Sequence, residues 1–353
     1  MSIHASKVET TRALLAQGLA IPAHPLALNA ARQLDERRQR ALSRYYIDAG
    51  VGGLAVGVHT TQFAIREVGL YEPVLRLAMQ EATTWKPSQQ LAMVAGVCGP
   101  TQQALREAQL AADLGYHAGL LSLAALKGHS ESAILAHVQA VADTIPVIGF
   151  YLQPAVGGME FSASFWEQFA SIPNVVAIKV APFHRYRTLD VVRGVVRANA
   201  QERITLYTGN DDHIVLDLVT PFDVVHGDRT VRVRFQGGLL GHWSVWTQRA
   251  VQLLAQCQAQ AAQPHLSADL LALDARVTDC NSAFFDVAHQ FHGCIAGCHE
   301  VLRRQGLLEG IWCLDPTEGL SPGQAQAIDR VCREHADLAD DAFVAANLER
   351  WLA

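Results

Sequence analysis

The chain alternates short, almost continuous apolar runs with longer amphipathic stretches. Apolar runs fall at residues 19–27, 53–58, 91–97, 118–123, 146–152, 175–180, 204–207 and 231–240. Helix-like segments fill the intervals at 35–49, 72–83, 101–114, 130–143, 162–171, 188–198 and 211–218. Continuous apolar strands joined by helices imply parallel pairing, with both faces of the sheet covered. Eight such strands and seven helices between them predict a (β/α)8 barrel. A doubly wound open sheet usually carries a phosphate loop, and neither GxGxxG nor a Walker A sequence is present. The Gly237-Gly238-Leu239-Leu240-Gly241 stretch reads as close backbone approach at a barrel mouth. After about residue 243 the texture becomes helical, with segments expected at 245–262, 268–277, 283–291, 295–305, 323–334 and 341–352. The expected organisation is an α/β chain: a (β/α)8 barrel over residues 1–245 and a helical C-terminal region over 246–353, with the polar stretch 258–264 as a small hinge.

Composition narrows the class. Of 353 residues, 50% are hydrophobic and 18% charged, which excludes a disordered chain and suits a well-buried fold that also buries surface in an oligomer. A net charge of −6 gives no general electrostatic reason to bind nucleic acid. No segment approaches about 18 uncharged apolar residues, so no membrane span is expected. The amino-terminal MSIHASKVETTRALL lacks a basic start followed by an apolar core, so a cytoplasmic protein without an export signal is expected. Seven cysteines spread along the chain are not a disulfide framework. Cys294 and Cys298, flanked by His292 and His299, have residue types that zinc uses, but no second well-spaced pair accompanies them. Reduced thiols on a packed helix is the plainer reading, and no metal is expected.

Candidate chemistry begins with the cations. Only four of the 28 basic residues are lysines: Lys7, Lys86, Lys127 and Lys179. The first three have polar or turn-like surroundings, whereas Lys179 lies inside the run Asn174-Val175-Val176-Ala177-Ile178-Lys179-Val180. Alternation puts Val175, Ala177 and Lys179 on one face. The lysine is near the C-terminal end of strand six, at the mouth where barrel enzymes place their chemistry. Burial disfavours the charged ammonium, and a neutral amine is the nucleophile that forms an imine with a ketone. The plainer alternative is a lysine that snorkels to the rim and pairs with a carboxylate. In the preceding strand, Tyr151 lies on the same alternating face as Gly149. Adjacent parallel strands are expected to bring Tyr151 and Lys179 together, the phenol passing protons to and from a carbinolamine. A rim tyrosine with a hydrogen-bonded hydroxyl is the other reading.

These pieces together resemble the dihydrodipicolinate synthase / N-acetylneuraminate lyase family. Gly149-Phe150-Tyr151-Leu152-Gln153-Pro154 looks like its tyrosine strand, and Asn174 to Lys179 like its Schiff-base lysine strand. Gly53 to Gly57 with Val58-His59-Thr60-Thr61 resembles the glycine-threonine loop after strand two. Tyr207-Thr208-Gly209-Asn210-Asp211 resembles the Gly-Asp-Asp segment, and Gly238 to Gly241 the late glycine turn. The resemblance spans roughly residues 15–260. It implies a barrel with a helical C-terminal region, a homo-oligomer (dimer or tetramer), no cofactor, and a 2-oxo acid such as pyruvate or a deoxy-keto sugar acid as substrate. By resemblance Lys179 is the nucleophile and Tyr151 the proton shuttle, while Thr60, Thr61, His59, Gly238 and Asn210 bind substrate.

The sequence departs from the family pattern in three places. The arginine that follows the tyrosine strand in dihydrodipicolinate synthase is replaced by the stretch Pro154-Ala155-Val156-Gly157-Gly158. The synthase's tyrosine pair after strand four corresponds to Leu123-Ala124-Ala125-Leu126-Lys127. His59 precedes the threonines, in reach of replacing a relay member or merely hydrogen-bonded in its loop. Arg185 or Arg187, just after the lysine strand, is a candidate for binding a distal carboxylate, against a solvated helix start. The expected function is a lyase, an aldolase or dehydratase working through a Lys179 imine. The competing readings keep the barrel: Lys179 as a base or phosphate ligand without covalent catalysis, or a non-catalytic metabolite-binding or regulatory barrel.

Overall fold

The computed structural model describes residues 3–353. Eight parallel strands form the barrel: β1 (Ala20–Pro22), β2 (Gly53–Val56), β3 (Ala92–Val97), β4 (Ala118–Leu121), β5 (Val147–Leu152), β6 (Val175–Ala181), β7 (Thr205–Thr208) and, after a two-stranded insertion, β10 (Phe235–Leu240). The bridge Ala23↔Ala55 and the His24 N–H donated to the Ala55 carbonyl at 2.8 Å close the ring between β1 and β2. Inside, small and branched side chains interlock, among them Ala55, Ala92, Val94, Ala118, Leu120, Ile148 and Ala177. Outside, a larger apolar layer packs the strands against the helices. This two-sided burial is why the strands read as unbroken apolar runs.

Three departures from the pattern matter. The run 231–240 is not one strand. Phe222–His226 (β8) and Arg229–Val233 (β9) form an antiparallel hairpin, and only β10 joins the barrel. Segment 283–291 is not a helix: Ala268–Phe284 is helical, and a 3-10 turn at Val287–His289 follows. Helix Ile3–Leu15, absent from the expected elements, plugs the N-terminal end of the barrel with Val8, Leu14 and Leu15. Tyr207 Oη ties it down, donating to the Leu15 carbonyl at 2.7 Å and accepting the Leu19 N–H at 3.1 Å. The first two residues of the export-signal reading lie outside the described residues.

Helices Thr247–Ala261, Ala268–Phe284, Cys294–Arg304, Gln324–Glu334 and Asp341–Leu352 make up the rest. Buried Asp340 fastens this region to the barrel. It accepts from Tyr45 Oη at 2.7 Å, the Gln248 N–H at 3.0 Å and Gln305 Nε2 at 2.8 Å. Among the described residues no helix is long and apolar enough to cross a membrane.

Candidate active site

Lys179 is 7% exposed and projects from the C-terminal half of β6 into a cavity at the barrel mouth. Its register partners are Phe150 on β5 and Tyr207 on β7. The Nζ lies over the Phe150 ring, 4.5 Å from its centroid. Gly209, just past β7, leaves room for the lysine stem: a Cβ there would lie 2.6 Å from Lys179 Cε and 2.8 Å from Ala181 Cβ. The glycine N–H is donated to the Val180 carbonyl at 2.8 Å, which fixes the loop beside the lysine.

Two residues on, buried Asp211 lines the same cavity and accepts the His242 N–H at 2.9 Å. Burial pushes the Lys179 ammonium down from the ordinary lysine range, opposed chiefly by the Asp211 charge. Burial pushes the Asp211 carboxyl up, opposed by Lys179 and the His242 N–H. The two groups hold each other's charge in a site that disfavours both. His59 lines the cavity too. Burial, with the Lys179 charge adding to it, lowers its imidazole to about 4, so it is neutral near pH 7.

The other expected site residues divide. Thr60 lines the cavity, but its hydroxyl is donated to the Ala23 carbonyl at 2.8 Å. Thr61 stands behind it. Its hydroxyl donates to the His24 carbonyl at 2.6 Å and accepts the Gly57 and Val58 N–H groups, bracing the loop. Asn210 does not line the cavity. Its Oδ1 accepts the Phe183 N–H at 3.1 Å and its Nδ2 donates to Asp217 at 2.8 Å. Gly238 sits where a Cβ would lie 2.6 Å from the Trp243 ring, so it permits close packing below the mouth.

Tyr151 corrects the expected pairing. Its register partner is Val180, not Lys179, so its ring leaves the barrel on the helix side. There it packs 4.9 Å from Trp166 and 6.1 Å from Phe161, and its hydroxyl accepts the Phe161 N–H at 3.3 Å. The offset arises at the base of the strand pair. Val147 pairs with Val175 but Ile148 with Ala177, so β6 carries one extra residue. The same irregularity puts Val175 in the outer apolar layer and Ala177 in the inner one, against the expected common face. Arg185 and Arg187 also turn away, pairing with Asp217 and with Glu160, respectively.

Sequence reasoning missed the far wall. Phe285, Phe291 and Cys294, all from the C-terminal region, line the cavity together with Phe183. No local pattern marks these residues, because a fold-level contact more than a hundred positions away brings them to Lys179. Asp211 carried a signal, since it is the one acidic residue of the quoted Gly-Asp-Asp-like segment. The Cys294, Cys298, His292 and His299 set does not converge. Among the described residues the one group with metal-ligand spacing is Asp279, Glu334 and His335. Arg330 already bridges its two carboxylates, at 2.7 Å and 2.8 Å.

The comparisons agree with this architecture. The 4-hydroxy-tetrahydrodipicolinate synthase of Halorhodospira halophila is 22% identical over 50% of this chain and 57% of its own length. N-acetylneuraminate lyase 2 of Escherichia coli is 25% identical over 58% of this chain and 64% of its own. The match thus spans less than two thirds of these curated relatives. Among solved structures, the dihydrodipicolinate synthase of Acinetobacter baumannii complexed with pyruvate superposes with a TM-score of 0.73 at 16% identity, over 91% of this chain and 99% of that one. The sequence model of the dihydrodipicolinate synthetase family matches residues 18–221, well over half of the chain. The chain therefore belongs to the dihydrodipicolinate synthetase family, as a divergent member with a (β/α)8 barrel and a helical C-terminal region.

Proposed function

We propose that this protein is a lyase, an aldolase or dehydratase acting on a 2-oxo acid through an imine on Lys179. The observation that carries the reading is a buried lysine, its ammonium disfavoured by burial, projecting into a cavity at the mouth of a barrel of this family. In the first step the neutral Nζ lone pair bonds to C2 of the oxo acid, and the carbonyl oxygen takes a proton. The nitrogen, now tetravalent, gives up one proton; the oxygen then leaves as water with a second proton, and the restored nitrogen lone pair completes the iminium. The iminium accepts the electron pair released when a bond to C3 breaks. The relatives' names and the pyruvate bound to the Acinetobacter baumannii structure support a 2-oxo acid as substrate.

Both protons need a carrier, and the cavity offers Asp211 and His59 in place of Tyr151. Asp211 suits the task better. Its raised carboxyl exchanges a proton nearer neutrality, whereas His59 at about 4 is a weak base. Carboxylate recognition falls to the loop carrying His59 and Thr60. The outward Tyr151 favours a second reading, a barrel that binds a metabolite without turnover. Incubation with pyruvate and borohydride followed by intact mass separates the two. The lyase reading expects a reduced adduct that Lys179→Ala and Lys179→Arg abolish, since a guanidinium stays protonated. An unmodified mass, or an adduct that survives Lys179→Ala, overturns it.

A further inference from the structure

We propose that the 2-oxo acid carries a short, uncharged, apolar tail, rather than a second carboxylate or a polyhydroxylated chain. The proposal rests on the Lys179 imine reading. Its grounds are the wall the substrate would meet beyond C3.

That wall is apolar and deliberately held. Phe183 and Phe291 line the cavity and meet edge-on, with centroids 5.7 Å apart. Both are bulky residues with left-handed backbone, φ 50° and φ 68°. Such a conformation persists only where the surroundings enforce it. For Phe183 the enforcing group is the Asn210 carboxamide, which accepts its N–H at 3.1 Å. For Phe291 it is the segment around buried Asp286, itself at φ 54°. The Asp286 carbonyl accepts the Phe291 N–H at 3.0 Å, and its carboxylate accepts the Gly293 N–H at 2.9 Å and the Ser321 hydroxyl. Two separate elements thus fix two rings against each other at the cavity wall.

The charges point the same way. Among the described residues, Lys179 is the one lysine or arginine on the lining, and its iminium keeps that charge on the nitrogen at C2, not beside the tail. The other ionisable carboxyl there, Asp211, offers a second carboxylate no cation and repels it when ionised. Arg185 and Arg187 are already paired with carboxylates outside the cavity. A polyol meets the same wall, where the rings of Phe183 and Phe291 give its hydroxyls no hydrogen-bond partner. Space sets the length. The cavity volume is about 50 Å³. So small a space shelters only a short group beyond C3.

The test measures borohydride trapping at limiting concentrations of pyruvate, 2-oxobutanoate, 2-oxoglutarate and a 3-deoxy-2-oxo sugar acid. Half-saturation for 2-oxobutanoate is expected within about tenfold of pyruvate or tighter, the scale of one methylene in an apolar pocket. The dicarboxylate and the sugar acid are expected to be weaker by about a hundredfold. Val156→Arg, which places a cation on the lining, should raise trapping of 2-oxoglutarate relative to pyruvate. Equal trapping of 2-oxoglutarate and 2-oxobutanoate, or preference for the sugar acid, overturns the proposal while leaving the imine intact. No adduct with any of the four, pyruvate included, overturns the imine itself.

Discussion

Lys179 and Phe150 stand in register on neighbouring strands, the Nζ 4.5 Å from the ring centroid, while Tyr151 faces Trp166 on the other side of the sheet. The residue beside the candidate nucleophile is therefore a hydrocarbon ring with no proton to give. It lowers the polarity around the amine and attracts the ammonium through its face, a modest effect of about 1 kcal/mol. Proton transfer has to come from another wall.

Tyr151→Phe is accordingly expected to leave imine formation within about twofold of the parent protein. The loss is one partly stretched hydrogen bond to the Phe161 N–H, 3.3 Å long. It should cost about 1 kcal/mol of stability. Single-turnover trapping with pyruvate and a urea melt check both halves. A drop in trapping of about a hundredfold, the usual scale for losing an acid–base group, would mean that the phenol reaches the amine after all.

Gly209→Ala should do the reverse. The added methyl would lie 2.6 Å from Lys179 Cε and 2.8 Å from Ala181 Cβ, so either the lysine stem or the loop must move. Overpacking of this kind costs about 1–3 kcal/mol. A displacement of the nucleophile by about 1 Å is expected to slow trapping by about a hundredfold. Circular dichroism and the melt confirm that the barrel persists. Trapping at the parent rate in a folded variant would show that the stem has room the structure does not give it.

The barrel was readable because both faces of its strands are covered, which leaves a signal that survives ignorance of register. Lys179 was readable for the same reason, as a lone charge in such a run. Tyr151 was misplaced because alternation along one strand says nothing about its offset from the next. The extra residue between Val175 and Ala177 shifts that offset by one, and a one-residue shift exchanges the two faces. Asn210 illustrates a second limit. It was expected to touch substrate and instead holds the backbone of Phe183, which lines the cavity. Phe285, Phe291 and Cys294 had no readable signal, since only tertiary packing carries them to the mouth.

Acid should destabilise the fold through buried histidines. His24, His242 and His299 are at most 7% exposed, and burial lowers each from 6.5 to about 4. As pH falls below 6.5, the unfolded chain binds protons that the folded chain still refuses. Their contribution is thus fully present above 6.5 and lost progressively down to about 4. The upper limit is about 3 kcal/mol for each. Urea midpoints should fall steadily from pH 7 to pH 5, and because burial lowers His59 to about 4 as well, His299→Leu should remove about a quarter of that histidine-linked slope. Equal midpoints at the two pH values would refute the histidine account.

Asp211→Asn separates charge from geometry in the site. The amide oxygen can still accept the His242 N–H that now reaches Asp211 at 2.9 Å, so the loop should keep its shape. Two effects then oppose each other. The Asp211 charge is the chief influence resisting the depression of Lys179, and without it the ammonium becomes still less favourable. The fraction of neutral amine at a given pH rises, and the midpoint of a trapping-versus-pH curve, already expected below the ordinary 10.5, should move lower. The amide cannot exchange a proton, however. Turnover should fall by about a hundredfold or more, the usual worth of a positioned acid–base group, with KM changing far less than kcat. A merely structural role for Asp211 predicts the lower midpoint, from the lost charge, but not that split. An unchanged midpoint with unchanged kcat would remove Asp211 from the chemistry and leave His59 as the proton carrier to test.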